Sequence, residues 1–338
     1  MQADNNQRPT IRPGLRFNAI TDERLDYAKQ LGVEEIIIHP YDLPYLPKDN
    51  LNLATARAWS FEELLQLRHR VEDAGLRLAA IENVPLSWYD EVIVGGEAAE
   101  AQLEQIKSTI RNIGRAGIDI FGYHWMGNGV WRTSLTRPGR GGAAATAFDH
   151  AEVTSQYDFE VVLDEDEMWD HFERFLDEVV PVAEDEGVTL ALHPDDPPVS
   201  EIEGIPRLFT SFERYERGLN LPSSDHHQAE LCVGTLAEMD EQRELVDFVS
   251  DLANDRRIAY VHFRNVDNTV PTFQETFIDD GRFNPVELLE TLASTGFEGI
   301  VIPDHVPLMT GESKWRPRGR AYTVGFIRGV LSTHARRG

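Results

Sequence analysis

Four apolar segments in the second half of the chain each end on a side chain that can bind a metal ion. The segments VTLALHP, AELCVG, IAYVHFRN and GIVIPDH carry, in this order, His193, Cys232, His262 and Asp304. Two imidazoles, a thiolate and a carboxylate suit Mn²⁺, Fe²⁺, Co²⁺ or Zn²⁺ better than Mg²⁺ or Ca²⁺. Zinc held by four protein ligands would leave no open position for a substrate. The set therefore favours a metal that accepts five or six ligands.

These four residues converge only if their segments are parallel strands of one sheet. Eight apolar segments alternate with helix-like segments, which predicts an α/β fold: a single (β/α)₈ TIM barrel over residues 14–338, after a flexible leader at residues 1–13. A doubly wound open sheet is the alternative, but no GxGxxG follows the first strand. The long segment after the fourth strand, residues 132–153, is predicted to be a loop whose glycines suit a movable lid.

The first four predicted strands also end on polar side chains. LRFNA, EEIIIHP, LRLAAIEN and IDIFGYHW bring Asn18, His39, Glu82 and His124 to the same mouth of the barrel, where active sites of such barrels lie. These side chains can bind metal or ligand, or move protons. We predict that Glu82 and His124 contact the substrate.

Arginines are concentrated on the segments predicted to surround that mouth. Arg132 lies on the long segment after the fourth strand, Arg264 ends the seventh strand, and further arginines follow the fourth and eighth strands: Arg137, Arg140, Arg316, Arg318 and Arg320. A guanidinium binds carboxylate or phosphate through a planar fork. The placement indicates an anionic substrate such as a small sugar acid, with Arg132 and Arg264 as predicted substrate-binding residues.

The composition excludes several classes of partner. The chain has 58 acidic and 32 basic side chains, a formal net charge of −26, which disfavours nucleic acid and anionic membrane surfaces. The acidic residues are spread along the chain, as expected for a protein of a salt-rich, halophilic cytoplasm. A single cysteine excludes an intrachain disulfide and fits a cytoplasmic location. The sequence does not determine an oligomeric state, although barrels of this type commonly form homo-oligomers.

At these residues the sequence resembles the mannonate dehydratase family of xylose isomerase-like barrels. The likeness runs from about Leu15 to Leu331 and is most specific in HPDDPP (193–198), VHFRNV (261–266), FQETFIDDG (273–281) and PDHVP (303–307). The resemblance implies that His193, Cys232, His262 and Asp304 hold one divalent metal per chain, Mn²⁺ or Fe²⁺. It also implies loss of water from D-mannonate to give 2-keto-3-deoxy-D-gluconate.

The resemblance assigns the proton-transfer groups less completely than the metal ligands. His305 resembles the family's catalytic histidine. The family usually has a tyrosine shortly before the GR of its closing segment, whereas here Lys314 and Trp315 stand at that place. An indole does not exchange a proton in this way, so Tyr322, seven residues later, is the predicted substitute.

Other functions remain open from the sequence. A dehydratase for another aldonate, such as gluconate, would use the same residues. A sugar epimerase or isomerase of the same fold would need two acid–base groups beside the metal, but the fifth strand lacks a ligand glutamate. A metal-dependent phosphodiesterase would need two or three metals, and a non-catalytic sugar-acid binder would not need the intact ligand set.

Overall fold

The computed structural model describes residues 11–40, 57–154 and 163–337. Fourteen strands lie in these ranges: β1 (Arg12–Phe17), β2 (Glu35–Ile38), β3 (Arg77–Ile81), β4 (Ile120–His124), β5 (Ser134–Pro138), β6 (Ala144–Asp149), β7 (Thr189–His193), β8 (Glu201–Ile202), β9 (Ile205–Pro206), β10 (His227–Cys232), β11 (Ile258–Phe263), β12 (Asn265–Val266), β13 (Thr272–Thr276) and β14 (Ile300–Pro303). The same ranges contain ten α-helices: α1 (Asp22–Gln30), α2 (Phe61–Glu72), α3 (Asp90–Val94), α4 (Ala99–Arg115), α5 (Glu165–Glu186), α6 (Phe212–Leu219), α7 (Val233–Glu238), α8 (Leu245–Asn254), α9 (Pro285–Ser294) and α10 (Pro317–Arg337).

Eight of the strands form a closed parallel barrel. Their order around the barrel is β1, β14, β11, β10, β7, β4, β3 and β2, and β2 pairs again with β1. All eight were predicted as strands, and the predicted TIM barrel is confirmed. Because the strands are parallel, their carboxyl ends meet at one mouth, and the polar side chains that end them are brought together there.

The first strand begins earlier than the sequence indicated. Arg12 and Pro13, assigned to the flexible leader, belong to β1, where they pair with Ile300 and Val301 of β14. Residues 1–10 of the predicted leader lie outside the described residues. None of the helices in the described ranges combines the length and apolar character that a membrane span needs.

The helices begin and end at residues that satisfy their free backbone groups. At the start of α5, Asp164 accepts from the backbone of Glu167 and the Glu167 side chain accepts from the backbone of Asp164, a capping box. The helix ends at Gly187, whose φ of +67° allows the left-handed cap. One face of α5 is buried against the barrel and α4, and Phe172 and Leu176 lie on this face.

Small residues inside the barrel leave room for polar side chains beneath the mouth. A Cβ on Gly122 would lie 2.6 Å from Glu230 Oε2, 2.7 Å from the Tyr260 hydroxyl oxygen and 2.8 Å from Glu82 Cβ. These are closer than real Cβ contacts, so only glycine fits at this position without displacing its neighbours. Gly122 thereby allows two carboxylates and a tyrosine to occupy the barrel interior.

The long connection after β4 is present, but it is not an irregular loop as predicted. It forms the hairpin of β5 and β6, and β6 pairs with β13 in a four-stranded antiparallel sheet completed by β12. Phe148 of β6 pairs with Phe273 of β13, and both are buried. The sequence concealed this sheet because the strand that pairs with β6 lies more than 120 residues further along the chain.

Candidate functional site

Three adjacent barrel strands bring together three of the predicted metal ligands. His193, Cys232 and His262 are the last or next-to-last residues of β7, β10 and β11, and Cys232 is the direct neighbour of His262 in the sheet register. One ligand atom from each of the three lies within 4.8 Å of the others, and all three side chains are buried. This spacing is suited to ligands that share one metal ion.

Asp304, the fourth predicted ligand, follows β14 and lies beside the same cluster. Its Oδ2 atom is 3.7 Å from Nδ1 of His262. That nitrogen is buried and has no hydrogen-bond partner among the described residues, which is costly unless a ligand occupies its lone pair. The donor set and this orphaned nitrogen both fit a bound divalent metal.

Hydrogen bonds fix which nitrogen of each histidine is available to a metal. Nδ1 of His193 donates to the carbonyl of Pro194 at 2.6 Å, which leaves Nε2 as the acceptor nitrogen. Nε2 of His262 donates to Oε2 of Glu82 at 2.9 Å, which leaves Nδ1. Such outer hydrogen bonds orient metal-binding imidazoles and raise their basicity.

The environment of Cys232 favours the form of the side chain that binds metal. Burial alone would raise the pKa of its thiol, but the Arg264 guanidinium and the adjoining His193 and His262 side chains outweigh burial. The pKa of Cys232 therefore lies well below its usual value. The thiolate, and not the thiol, is the metal ligand.

Arg16 and Glu82 form an ion pair directly beneath the cluster. Nη1 of Arg16 donates to Oε1 of Glu82 at 2.6 Å, and Nη2 donates to Oδ1 of Asp304 at 2.8 Å. The Tyr260 hydroxyl donates to Oε2 of Glu82 at 2.8 Å, which is the oxygen that also accepts from His262. The structure thus places Glu82 behind the predicted ligands, fully buried, and this position does not support its predicted contact with a substrate.

A second buried carboxylate in the barrel interior was missed by the sequence analysis. Oε1 of Glu230 lies 3.3 Å from Nε2 of His262, and burial together with the Glu82 carboxylate raises the pKa of Glu230 to about 7. A signal for it existed. Glu230 and Cys232 are two residues apart on one strand, so their side chains point to the same side of the sheet.

Arg264, a predicted substrate-binding residue, is instead fully engaged with carboxylates. Its Nη1 donates to Glu238 at 2.6 Å, its Nη2 donates to Asp196 at 2.9 Å, and its Nε lies 3.2 Å from Asp304. The side chain is buried and does not line the cavity described below. Arg264 therefore contacts the predicted ligand Asp304, and its contacts do not support the predicted role in substrate binding.

Arg132, the other arginine predicted to bind substrate, is also hydrogen-bonded to two carboxylates of the protein. It donates to Asp196 at 2.7 Å and to Glu275 at 2.7 Å, and its guanidinium packs over the ring of Phe273. Its partners come from β13 and from the loop after β7, segments so far apart along the chain that their contact with Arg132 could not be predicted. The prediction that Arg132 binds substrate is not supported by these contacts.

His305 lies next to the candidate metal ligands, and one of its two ring nitrogens has no hydrogen-bond partner among the described residues. Its Nδ1 donates to Oε1 of Glu275 at 2.5 Å, and its Nε2 is 3.8 Å from Oδ1 of Asp304. Its backbone has a φ of +38°, a conformation that non-glycine residues rarely adopt and that is concentrated at functional sites. The hydrogen bond to Glu275 leaves Nε2 free to accept a proton.

These side chains surround a cavity of about 330 Å³ at the mouth of the barrel. This volume is within the range of small-ligand sites. The cavity is lined by Arg16, Asn18, His39, Asn83, His124, Met126, Val130, His193, Asp196, His262, Asp304, His305, Lys314, Trp315 and Arg320. The lining includes three of the predicted ligands together with His124 and His305, which the sequence analysis had also selected.

His124 lines the cavity as a neutral hydrogen-bond donor. Burial, and next the nearby His193, lower the pKa of His124 to about 3. Its Nδ1 lies 3.2 Å from the backbone nitrogen of Met126 and accepts that N–H, so Nε2 carries the proton. The predicted contact between His124 and a substrate stays a prediction, and the structure supplies the donor that it needs.

Tyr322 is not among the residues that line the cavity, so its position does not support the prediction that it replaces the family tyrosine. The residue is 38% exposed. Its ring packs against Phe277, and its hydroxyl donates to Asp279 at 2.8 Å. The rotation of α10 turns this residue outwards. The wall at that place is formed by Lys314 and by Trp315, whose ring packs edge-on against Tyr27 with the centroids 4.9 Å apart.

Comparisons with known proteins agree with the motifs. The family model described as D-mannonate dehydratase (UxuA) matches residues 21–163 and 154–337. Mannonate dehydratase of Streptococcus suis (strain 05ZYH33) is 30% identical, over 90% of this chain and 88% of its own. Mannonate dehydratase 2 of Halalkalibacterium halodurans is also 30% identical, over 95% of this chain and 98% of its own.

Solved structures show the same relationship. The crystal structure of mannonate dehydratase from Streptococcus suis serotype 2 has a TM-score of 0.84 at 28% identity, and the match covers 97% of this chain and 95% of that chain. D-psicose 3-epimerase from Clostridium cellulolyticum H10 has a TM-score of 0.62 at 14% identity, covering 95% and 99%, and shares the fold alone. The resemblance inferred from the sequence is confirmed.

Proposed function

Because the chain belongs to the D-mannonate dehydratase family, we propose that it removes water from D-mannonate to form 2-keto-3-deoxy-D-gluconate. The observation that carries the proposal is the position of His305. This histidine lines the same cavity as the cluster of His193, His262 and Asp304, and it presents a free nitrogen there. A base beside a charge-stabilising centre is what removal of a proton next to a carboxylate requires.

His193, Cys232, His262 and Asp304 are the residues that would hold the metal, one Mn²⁺ or Fe²⁺ per chain. When bound, such an ion supplies positive charge that stabilises the enediolate formed as the proton leaves. The chain contributes the orientation of these ligands. Glu82 fixes the ring of His262, and Arg16 fixes the carboxylate of Asp304.

His305 is the proposed base for the proton on the carbon beside the carboxylate. Its Nε2 takes the proton, and the resulting imidazolium is stabilised by the Glu275 carboxylate, which already accepts from Nδ1. Burial alone would raise the pKa of Glu275, but His305 and Arg132 lower it to about 2. Glu275 therefore stays ionised throughout the reaction and holds the ring in one orientation.

Lys314 is the proposed proton donor to the departing hydroxyl group. The family tyrosine is absent, Trp315 carries no transferable proton, and Tyr322 is directed outwards. The segment before α10 and the first turn of α10 contribute Lys314, Trp315 and Arg320 to the cavity wall. Of these, Lys314 carries a proton that can be transferred, whereas the Arg320 guanidinium does not lose one.

A keto-acid assay in molar KCl tests this function. The protein is supplied with Mn²⁺ or Fe²⁺, and D-mannonate is compared with D-gluconate and other aldonates. Formation of a 2-keto-3-deoxy acid from D-mannonate, and its loss in His193→Ala, is the expected result. Turnover of another aldonate alone would change the substrate, whereas no turnover of any aldonate by metal-loaded protein would contradict the dehydratase assignment.

We also infer that the protein works in a salt-rich cytoplasm as a soluble sugar-acid enzyme. Its net charge of −26 supports this inference, because the repulsion among so many acidic side chains is screened more strongly at high ionic strength. The same charge disfavours nucleic acid and anionic membranes as partners. The assay is therefore run in molar KCl.

A further inference from the structure

Arg320 differs from the other arginines of the site because no carboxylate neutralises it. Arg16, Arg132 and Arg264 each form ion pairs with at least two acidic side chains. Within the described ranges Arg320 forms none, although the chain has 58 acidic residues. A cavity-lining arginine without a counter-ion is suited to an anion that comes from outside the protein.

The contacts of Arg320 hold its side chain in place and leave part of it free. Its Nε donates to the carbonyl of Trp315 at 2.9 Å, and its Nη1 donates to the carbonyl of Arg16 at 3.1 Å. Nη2 has no acceptor among the described residues. The guanidinium is thus fixed by two backbone oxygens while a third nitrogen remains available to a ligand in the cavity.

The position of Arg320 is unfavourable unless an anion binds there. The residue lies in the first turn of α10, where the positive end of the helix dipole disfavours a cation. Burial, and next the Arg16 guanidinium, lower the pKa of Arg320 to about 10, and the more distant Asp304 carboxylate opposes them only in part. A bound anion would relieve both effects.

Arg320 is connected to the candidate metal ligands through Arg16. Arg320 donates to the backbone of Arg16, and the Arg16 side chain donates to the ligand Asp304. Lys314, a second cation with no ion pair among the described residues, stands on the same wall. The positive side of the cavity therefore adjoins the place where the reacting carbon must lie.

We propose that Arg320 binds the carboxylate of the sugar-acid substrate and selects acids over neutral sugars of the same shape. This inference rests on the proposed function, whose substrate class it explains. Arg320 thus takes the role that the sequence analysis predicted for Arg132 and Arg264. Those two arginines are paired with carboxylates of the protein, whereas Arg320 forms no ion pair among the described residues.

Binding of D-mannonate and D-mannitol to the Mn²⁺-loaded protein tests this role, because the two ligands differ only in the carboxylate at one end. Titration calorimetry is done in the His305→Gln background, so that the ligand is not consumed. Adding Arg320→Met is expected to weaken D-mannonate binding by about 10- to 100-fold, the effect of one charge-assisted hydrogen-bonded pair, and to change D-mannitol binding by less than about 3-fold. The matched control is Arg318→Met, an exposed arginine outside the cavity, which should change neither.

Three outcomes would overturn the proposal: an unchanged affinity for D-mannonate, an equal loss for both ligands, or no preference for D-mannonate over D-mannitol before Arg320 is changed. If Arg320→Met does not fold, Arg320→Lys decides. Lysine keeps the positive charge but lacks the planar pair of donors of a guanidinium. D-mannonate should therefore bind several-fold more weakly, while the affinity for D-mannitol stays unchanged. Failure of the proposed function is seen separately, as absence of wild-type turnover with D-mannonate binding intact.

Discussion

Nη1 of Arg16 lies 2.6 Å from Oε1 of Glu82, and through this ion pair two of the proposed metal ligands are joined. Nη2 of Arg16 donates to Oδ1 of Asp304 at 2.8 Å, and Oε2 of Glu82 accepts from Nε2 of His262 at 2.9 Å. Residues from the first and third barrel strands thereby fix ligands from the seventh and eighth. The geometry of the site depends on this pair as well as on the ligands themselves.

Glu82→Gln is expected to weaken Mn²⁺ binding by about 10- to 100-fold, the usual effect of removing a carboxylate that orients a metal-binding histidine. The measurement is titration calorimetry with Mn²⁺ on metal-free protein. Glu35→Gln is the matched control, because Glu35 is also a buried carboxylate paired with arginine, in its case Arg12 and Arg77, but lies at the start of β2. Equal affinities of the Glu82→Gln and wild-type proteins would show that the pair does not orient the ligands.

Glu275→Gln is expected to lower the melting temperature at pH 7 and to have a smaller effect in acid. The pKa of Glu275 is lowered from 4.5 to about 2 in the folded protein, so its carboxylate stabilises the fold above pH 4.5. This contribution is lost as the pH falls from about 4.5 towards 2. Melting curves of both proteins between pH 7 and pH 3 test the trend, with exposed Glu298→Gln as the control. A difference that grows in acid would contradict the assigned direction.

Lys314→Met is expected to reduce kcat by about 100-fold or more, the usual contribution of a positioned acid. Lys314→Arg separates proton transfer from charge, because arginine keeps the charge and does not give up a proton. It should therefore also lose kcat while KM for D-mannonate changes little. Full kcat in Lys314→Arg would instead make Lys314 a charged binding group, and the departing hydroxyl would need another donor.

The melting temperature is expected to rise when KCl is increased from about 0.1 M to about 1 M, because the Debye length falls from about 10 Å to about 3 Å and the repulsion among the acidic side chains is screened. Scanning calorimetry at a series of KCl concentrations measures this. A melting temperature that is constant or falls over the series would remove the support for a salt-rich habitat.

The fold and the grouping of the candidate metal ligands could be predicted from the sequence because both depend on local patterns. Strand-like segments that end on His193, Cys232 and His262 place their side chains at one mouth once the strands are parallel. The sequence did not reveal which charges would be neutralised. Arg132 meets Glu275 across more than 140 residues, and pairing over such a distance leaves no trace in composition or spacing.

Two further differences have equally physical causes. The position of Tyr322 outside the cavity lining could not be predicted, because α10 begins at Pro317 and the rotation of that helix decides which side chains face the cavity. Arg320 was grouped with its neighbours Arg316 and Arg318 by sequence alone. Arg320 differs from them in its packed environment: it forms no ion pair with a carboxylate in the described part of the chain. The packing that causes this difference cannot be read from the sequence.

The most direct test of the account is an NMR measurement of D-mannonate turnover by wild-type protein and His305→Gln, each first shown to contain one Mn²⁺ per chain. We expect the wild type to form 2-keto-3-deoxy-D-gluconate and the variant, with its metal retained, to form it at least about 100-fold more slowly. Undiminished product formation by metal-loaded His305→Gln would contradict the assignment of His305 as the base beside the metal cluster.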